Sequence, residues 1–427
     1  MIVEEELFMN HEVIKTVIFD QHELIRSIDL VKRDYSFEYS LNYVLVGLRR
    51  AGKTMLLYSV VKDLISKGVD WNQIIYINFE DERLTEFNLS DFNDIVLVKN
   101  ELTDKKGYYF FDEIQNIDGW EKFARRIADQ KEFVYITGSN AKMLSKEISA
   151  TLGGRYIPEY ISTFSFPEFL DGKGMAYDEA ALSATSSKGK IIRSFDDYYT
   201  YGGFPETLNI QSKRSYVSNV YQKNILSDVM NRNDIRNENA MRLIVKKIAE
   251  TVKNEVSYSK LHNIVRSVGT SISKDSLIDY IAYMKDAYLI FDIRNYFASF
   301  VEKESNPKYY FSDNGLLNLF LIDENSSLLE NQVALYLHNR YPDDLFYLKS
   351  NETKVDIDFY ITETNTAVQV AYSIEGEART REVANLLKFA KTKPDCRMVI
   401  VTYNEEETIE AEGFTIEVIP AYKFILG

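Results

Sequence analysis

The chain has 427 residues and a formal net charge of −15, and 45% of its residues are hydrophobic against 27% charged. This length predicts two or three domains, and the composition is typical of a folded, soluble protein. The acidic balance argues against a general nucleic-acid binder, so that only a local basic patch could hold DNA or RNA.

Three further features narrow the class of protein. No apolar run approaches the roughly 18 residues of a membrane span, and the acidic start of the chain lacks the pattern of a signal peptide. The single cysteine, Cys396, allows no intrachain disulfide, and four scattered histidines argue against a structural zinc site. We therefore expect a cytoplasmic protein that does not enter a membrane.

The first motif in chain order lies between a strand-like run, residues 43–46, and a segment with helical apolar spacing. It fits the pattern Gly-x4-Gly-Lys-[Ser/Thr] at every fixed position. Its residues are Gly47, Leu48, Arg49, Arg50, Ala51, Gly52, Lys53 and Thr54. A chance match is the alternative, and the flanking strand and helix make such a match rarer.

Each fixed position of this phosphate loop has a physical role. The two glycines allow a sharp turn and a close approach of the backbone to phosphate, while N–H groups at a helix N-terminus favour an anion. We expect Lys53 to reach the β- and γ-phosphates of a nucleotide. Thr54 is expected to offer its hydroxyl to Mg²⁺.

The strands that follow occur in the order expected of a nucleotide site. Residues 74–81 contain a second strand, and residues 107–116 contain an apolar strand that ends in Asp112 and Glu113. This is a Walker B pattern, in which Asp112 supports the Mg²⁺ and Glu113 orients and deprotonates the attacking water. The alternative for an acidic pair after a strand is a helix cap.

The next strand, within residues 132–144, ends in polar residues. Ser139 or Asn140 could contact the γ-phosphate or the water, with a turn and a helix cap as the alternative. Because strands alternate with helices, we expect a parallel, doubly wound α/β sheet. The nucleotide would then lie at the carboxyl ends of the strands.

Arg155 follows a Gly-Gly pair and precedes another strand-like run. It is a candidate arginine finger, acting on its own site or on that of a neighbouring subunit. In either place it would neutralise charge that develops on the γ-phosphate. A surface or salt-bridged arginine is the alternative. If Arg155 acts in trans, the chain forms a homo-oligomer.

With these motifs in place, the chain resembles a family of AAA-type P-loop ATPases that is widespread in bacteria and archaea. The matching stretches are the phosphate loop with its double arginine, FFDEIQNIDGWE, ITGSNA, LGGRY, FSFPEFL, YGGFPE, KYYFSDNGLLN, LLENQVALYL and VDIDFYI. The resemblance covers most of the chain. It implies an ATPase domain followed by a C-terminal domain of unknown function with a restriction-endonuclease-like core, and it implies no particular substrate.

The middle of the chain contains two segments of different character. Residues 175–190 are small and polar, which predicts a linker or an exposed loop. Residues 241–296 predict a winged-helix unit and carry nine Lys or Arg against six Asp or Glu, a net charge of +3. Winged helices bind DNA through their second helix, and they also pack against proteins, so both kinds of partner stay open.

The last hundred residues invite comparison with a nuclease core, which needs two or three carboxylates around Mg²⁺ and a lysine. Glu330 on a predicted helix and Asp358 on a predicted strand fit this set. The Glu-x-Lys expected on the next strand reads Gln369-Val370-Ala371. Because one carboxylate and the lysine are missing, we expect a nuclease-like fold without nuclease activity.

The sequence therefore predicts a P-loop ATPase domain at 20–172, a helical and winged-helix-like region at 173–300, and an α/β nuclease-like domain at 301–427. The favoured function is Mg²⁺-dependent ATP hydrolysis coupled to a conformational change in the C-terminal domain. The alternatives are a slow nucleotide-dependent switch that binds DNA or a protein, and a Mg²⁺-dependent nuclease. ATP is favoured over GTP because no Asn-Lys-x-Asp pattern is apparent.

Overall fold

The structure is a computed structural model that describes residues 2–299, 306–322 and 325–427. The chain divides into two compact units, Met1–Ser162 and Thr163–Gly427. Within the described ranges, no helix is both long enough and apolar enough to cross a bilayer. The division into three domains at 172/173 and 300/301 stays a prediction.

Five strands form the centre of the first unit. They are β1 (Asn42–Val46), β2 (Ile74–Asn78), β3 (Tyr108–Asp112), β4 (Phe133–Gly138) and β5 (Tyr156–Tyr160). They pair in the order β2-β3-β4-β1-β5, and every pairing is parallel. The inner strands are almost continuously apolar because both of their faces are covered. This sheet confirms the predicted α/β P-loop fold class.

Helices connect these strands and cover the sheet. They are α1 (Ile2–Ser27), α2 (Lys53–Ser66), α3 (Phe92–Leu102), α4 (Trp120–Asp129) and α5 (Lys146–Leu152). A row of stacked aromatic rings crosses four neighbouring strands, with centroid distances of 5.6 Å from Tyr43 to Tyr135, 4.9 Å from Tyr135 to Phe110 and 5.9 Å from Phe110 to Tyr76. Such pairs add to the stabilisation that burial alone provides.

The second unit begins with helices. They are α6 (Phe166–Gly172), α7 (Glu179–Ser183), α8 (Thr185–Tyr201), α9 (Lys213–Asn219), a π-helical segment (Val220–Leu226), α10 (Ser227–Arg232), α11 (Glu238–Glu250), α12 (Tyr258–Ser267) and α13 (Lys274–Asp286). The predicted linker at 175–190 is therefore wrong over most of its length. Asp178 caps α7 by accepting the Ala181 N–H at 2.8 Å, and α8 is anchored by the buried Ile191.

The segment predicted to be a winged helix has the expected order of elements. Ser257 caps α12 and Ser273 caps α13, each through its hydroxyl. After α13, strand β6 (Ile290–Asn295) pairs antiparallel with β7 (Lys308–Phe311). Three helices followed by an antiparallel strand pair suit a winged helix, and that assignment stays a prediction.

The remaining strands complete a mixed sheet. They are β8 (Leu345–Lys349), β9 (Asp356–Ile361), β10 (Thr366–Val370), β11 (Arg397–Thr402), β12 (Glu407–Ala411) and β13 (Phe414–Pro420). Helices in this part are Asn314–Leu317, Asn325–Arg340, Glu377–Ala390 and Ala421–Phe424. The eight strands run in the order β12-β13-β11-β10-β9-β8-β6-β7. The predicted boundary at 300/301 thus falls between two paired strands.

Asp313 joins two of the sequence motifs inside the second unit. Its buried carboxylate accepts the Thr163 hydroxyl at 3.0 Å and the N–H groups of Gly203 and Gly315 at 2.8 Å each. Burial raises the pKa of Asp313 to about 6, and these hydrogen bonds limit the rise. Gly202 has φ 78°, and a Cβ there would lie 1.9 Å from the Asp313 Oδ1.

Two buried asparagines extend this network. Asn331 exchanges hydrogen bonds with the backbone of Phe311, at 2.7 and 3.0 Å, and donates to the Asn314 Oδ1 at 3.0 Å. Asn314 in turn donates to the carbonyl oxygens of Tyr199 at 2.9 Å and Leu328 at 3.1 Å. Residues of the motifs YGGFPE, FSDNGLLN and LLENQ therefore meet in one buried hydrogen-bond network, which gives these residues a structural role.

Substituting Asp313→Ala tests this network. It leaves three buried donors without an acceptor, which costs at least about 3 kcal/mol of stability. We expect a lowered thermal unfolding midpoint in calorimetry. The exposed Asp395→Ala is the control, and equal midpoints for the two variants would contradict the structural role of Asp313.

Candidate nucleotide site

The phosphate loop connects β1 to α2 and has the backbone that an anion site requires. Gly47 has φ 151°, and a Cβ there would lie 2.1 Å from the carbonyl oxygen of Ile161. Arg50 and Gly52 also have positive φ, 68° and 93°. Positive φ values at alternating positions are typical of the backbone of anion-binding nests.

Lys53 lies across this loop at the first turn of α2. Its buried ammonium donates to the carbonyl oxygens of Gly47 at 3.0 Å and Leu48 at 3.2 Å. Burial lowers the pKa of Lys53, while the charges of Glu113 and Asp112 partly oppose that change. The ammonium is thus held at the loop, where it can face a phosphate.

Asp112, the last residue of β3, is a buried carboxylate that accepts hydrogen bonds from three hydroxyls. Tyr76 on β2 donates to its Oδ2 at 3.1 Å, and Thr137 on β4 donates to its Oδ1. Thr54 on α2 is the third donor. Burial and the charge of Glu113 raise the pKa of Asp112, and these hydroxyls oppose the rise.

Glu113 follows directly, with φ 52° in the left-handed region that costs a residue with a side chain about 1 kcal/mol. Its N–H donates to the Thr137 Oγ1 at 2.9 Å. Its carboxylate accepts from the Ser139 Oγ at 2.8 Å and from the Gln115 amide. Burial raises the pKa of Glu113, but Lys53 and these donors outweigh burial, so that the net shift is downward.

The two residues predicted to hold a metal, Thr54 and Asp112, fit Mg²⁺ by their chemistry. They offer a hydroxyl and a carboxylate in direct contact, and Mg²⁺ prefers oxygen ligands from one or two carboxylates together with substrate phosphates. In the described ranges, no group of three or more His, Cys, Asp or Glu side chains could hold a metal ion. The donor set therefore suits a metal that arrives with a nucleotide.

Ser139 and Asn140, both predicted to sense the γ-phosphate, have different positions. Ser139 is buried and contacts Glu113. Asn140 caps a short 3-10 turn, Ala141–Leu144, through an Oδ1 that accepts the Lys142 N–H at 2.7 Å. The cap alternative thus describes Asn140, whereas Ser139 is the strand-end side chain that lies at the candidate base.

Among the other loop residues, the apolar ones pack in the core and the two arginines carry charge. Leu48 and Ala51 are fully buried and anchor the loop. Arg49 pairs with Glu80 at 2.6 Å, and its charge helps to lower the pKa of Glu113. Arg50 is exposed. Arg49 is therefore the loop arginine whose field reaches the site.

Arg155 lies at the amino end of the strands, whereas the phosphate loop lies at their carboxyl end. Because β5 pairs in parallel with β1 from Asn42↔Tyr156 to Val46↔Tyr160, Arg155 is next to the amino end of β1, about 16 Å along the strand from the loop. Its Nε is 2.5 Å from the Asp129 Oδ1. In this structure Arg155 does not lie beside the phosphate loop of its own unit, and its role as an arginine finger stays a prediction.

Three side chains at the site were not assigned from the sequence. Tyr76 and Thr137 bind Asp112, and Thr137 also accepts from the Glu113 N–H. Arg33 is buried and donates to the carbonyl oxygens of Ala51 at 3.0 Å and Ser162 at 2.8 Å, which ties the loop to the end of the unit. Only Thr137, a polar residue at a strand end, carried a sequence signal.

This fold and this loop define an AAA-type P-loop ATPase domain, and the AAA domain family matches residues 40–170. A domain of unknown function, DUF8612, matches residues 192–327. Uncharacterized protein MJ1544 of Methanocaldococcus jannaschii is 31% identical over 430 residues, which cover 96% of this chain and 94% of that protein. The chain belongs to the same protein family as MJ1544.

Other similarities are more distant. An uncharacterized protein of Haemophilus influenzae is 29% identical over 90% of this chain and 94% of its own length. The Walker-type ATPase PABY2304 of Pyrococcus abyssi is 16% identical over 70% of this chain and all of its own, with a TM-score of 0.40. The ORC1 protein of Aeropyrum pernix, solved with DNA, is 14% identical over 78% and 93%, with a TM-score of 0.28.

Lys53→Ala tests the loop as a phosphate site. Removing the buried ammonium eliminates a charge-assisted hydrogen bond to phosphate, so that affinity for a fluorescent ATP analogue should fall by about 10- to 100-fold. Fluorescence titration provides the measurement, with the exposed Lys105→Ala as control. Equal affinities for the two variants would refute the site.

Proposed function

We propose that this protein hydrolyses ATP in a Mg²⁺-dependent reaction at the phosphate loop. The observation that supports this most is the position of Glu113, one residue beyond Asp112 at the carboxyl end of β3, with a lowered pKa and with Ser139 on one carboxylate oxygen. A deprotonated carboxylate beside the phosphate loop is the group that this chemistry requires as base.

Each side chain has one role in this proposal. The loop N–H groups and Lys53 bind the phosphates, while Thr54 and Asp112 hold the metal. Mg²⁺, when bound, would neutralise charge on the phosphate oxygens. Glu113 takes a proton from water as the water oxygen bonds to the γ-phosphorus, and the bond from that phosphorus to the β-γ bridging oxygen breaks, releasing ADP.

Ser139 and Gln115 each donate a hydrogen bond to one oxygen of the Glu113 carboxylate. A base whose oxygens are already bonded is less available to water, so the arrangement suits a resting enzyme. We propose that the γ-phosphate draws Ser139 away and frees one oxygen of Glu113. Ser139 is then the side chain that senses the nucleotide.

We also propose that turnover changes the conformation of the second unit, Thr163–Gly427. That unit makes up more than half of the chain. The phosphate-loop pattern occurs once in the sequence, at residues 47–54, so nucleotide energy enters through the first unit.

Contact with DNA is a second candidate function. It is favoured by the order α12, turn, α13 and an antiparallel β6–β7 pair, in a segment with a net charge of +3. Lys274 at the start of α13 is exposed, but so are Asp275 and Asp279. A switch that binds ATP, turns it over slowly and contacts DNA or a protein here is therefore the alternative function.

Glu113→Gln tests the ATPase. The amide cannot accept a proton, so steady-state ATP turnover should fall by about 10²-fold or more with ATP affinity unchanged. Turnover is measured for the wild type and this variant, with and without duplex DNA. Lys53→Ala is the control that loses binding as well.

Two outcomes would contradict the proposal. If wild type and Glu113→Gln turn over ATP equally, Glu113 is not the base. If both bind ATP but neither turns it over, with or without DNA, the protein is the switch. Stimulation of the wild type by DNA would support the second function in addition to the first.

Arg155 is proposed to act on the site of a neighbouring subunit. Arg155→Ala should lower kcat by about 10³-fold with little effect on ATP affinity. Mixing Arg155→Ala with Glu113→Gln subunits should restore activity, because mixed interfaces contain one intact base facing one intact arginine. The measurement is turnover as a function of the mixing ratio.

Arg125→Ala is the matched control, because Arg125 also pairs with Asp129, at 3.9 Å. It should leave turnover unchanged. Sedimentation of a fully active monomer, or mixtures that stay inactive, would exclude a role for Arg155 in trans.

A further inference from the structure

A second carboxylate cluster lies in the second unit, far along the chain from the phosphate loop. Glu330, on the helix Asn325–Arg340, is buried, and Asp358, on β9, has a side chain that is 20% exposed. Lys308, the first residue of β7, is buried between them. Its Nζ lies 3.5 Å from the Glu330 Oε1 and 3.4 Å from the Asp358 Oδ1.

The other polar contacts of the two carboxylates come from the chain itself. The Tyr310 hydroxyl donates to the Glu330 Oε1 at 2.8 Å, and the Val370 N–H donates to the Asp358 Oδ2 at 2.9 Å. These bonds hold both carboxylates in place. One oxygen of each carboxylate faces the same ammonium.

Gln369 lies where a nuclease core has a carboxylate. Both ends of its side-chain amide form hydrogen bonds within the chain. Its Oε1 accepts the Asp358 N–H at 2.8 Å, and its Nε2 donates to the Glu382 Oε2 at 2.7 Å. The amide therefore fixes the backbone beside Asp358 and adds no negative charge. Two carboxylates of the nuclease-like set are left, and both face Lys308.

The charges support a protonated lysine at this place. Burial lowers the pKa of Lys308, but Glu330, Asp358 and Asp356 outweigh burial and raise it overall. Burial and the charge of Asp358 raise the pKa of Glu330, and Lys308 and Tyr310 oppose that rise. The ammonium is thus the cation that makes burial of Glu330 tolerable.

We propose that the Lys308 ammonium takes the place of a divalent metal ion between Glu330 and Asp358, so that this cluster is neutralised by the chain and binds no metal. A metal ion would have to lie about 2.0–2.6 Å from these same oxygens, and there it would meet the ammonium. In the described part of the chain, no set of three acidic, His or Cys side chains could hold a metal. The lysine missing after Gln369 is supplied by a different strand, in the position of the metal.

The variant Lys308→Met tests this inference, which is independent of the ATPase. Methionine keeps an unbranched apolar stem, one atom shorter than that of lysine, and removes the charge, leaving two carboxylates that need a cation. All variants are made in an Asp112→Asn background, without nucleotide, so that the phosphate-loop site contributes no metal. The probe is Tb³⁺, whose luminescence the Tyr310 ring beside Glu330 would sensitise, with Mn²⁺ titrations of the unfolding midpoint in parallel.

We expect the parent protein to give no Tyr-sensitised Tb³⁺ signal that depends on Glu330 and no change of midpoint with millimolar Mn²⁺. Lys308→Met should unfold at a lower temperature, gain one Tb³⁺ site and recover stability with Mn²⁺. The matched control Lys308→Met/Glu330→Gln, which has one carboxylate fewer, should lose both gains.

Several results would overturn the inference. One is a parent protein that binds Tb³⁺ or Mn²⁺ and loses that binding on Glu330→Gln; another is Mg²⁺-dependent DNA cleavage that is lost on Asp358→Ala. A stable Lys308→Met that binds no metal would also overturn it. If Lys308→Met is insoluble with and without Mn²⁺, the parent protein decides: a Glu330-dependent Tb³⁺ signal refutes the inference, and its absence supports it.

Discussion

The burial of the Asp112 carboxylate is the constraint on which the nucleotide site depends. An ionised carboxylate loses much of its hydration free energy when it is buried, and only hydrogen bonds or a cation can compensate. Asp112 accepts hydrogen bonds from hydroxyl groups on β2, β4 and α2. One side chain therefore ties β3 to the strand on each side of it and to the helix that follows the phosphate loop. Burial and the charge of Glu113 raise the pKa of this carboxyl despite the three hydroxyls, and a cation beside Thr54 would favour the ionised form.

Local patterns predicted those parts of the fold that depend on local chemistry. The phosphate loop, the strands around it and the Walker B pair follow from glycine positions and from runs of β-branched and aromatic residues. Tyr76 could not be predicted, because only the pairing of β2 with β3 brings it to Asp112. Arg33 could not be predicted either, because it precedes β1 and its carbonyl partners, Ala51 and Ser162, lie far along the chain from it and from each other. For a related reason, the sequence left open whether Arg155 serves its own site or that of a neighbouring subunit. Only the parallel register of β5 with β1 determines which end of the sheet it occupies.

The two buried acidic clusters illustrate the limits of reading a motif along the chain. The sequence has no lysine in the position expected two residues after Gln369. The lysine of the cluster is Lys308, which lies 61 residues before Gln369 in the sequence and is brought to Glu330 and Asp358 by the folding of the chain. In the first unit Lys53 faces the loop and leaves the hydroxyl of Thr54 beside Asp112. In the second unit the lysine stands between the carboxylates themselves. Under the two proposals, the same residue types make one cluster that takes a cation together with a nucleotide and another that carries its own cation.

The contact between Gly202 and Asp313 has a consequence for how sequences of this family can diverge. A side chain at position 202 would collide with the carboxylate, and a shorter residue at position 313 would leave donors near Gly203 unpaired. Neither position can change freely while the other is kept, although more than a hundred residues separate them along the chain. Substitutions at these two positions should accordingly appear together among relatives. Covariation of these two positions would indicate a packing contact within the second unit. It would not indicate a catalytic or binding role for either residue.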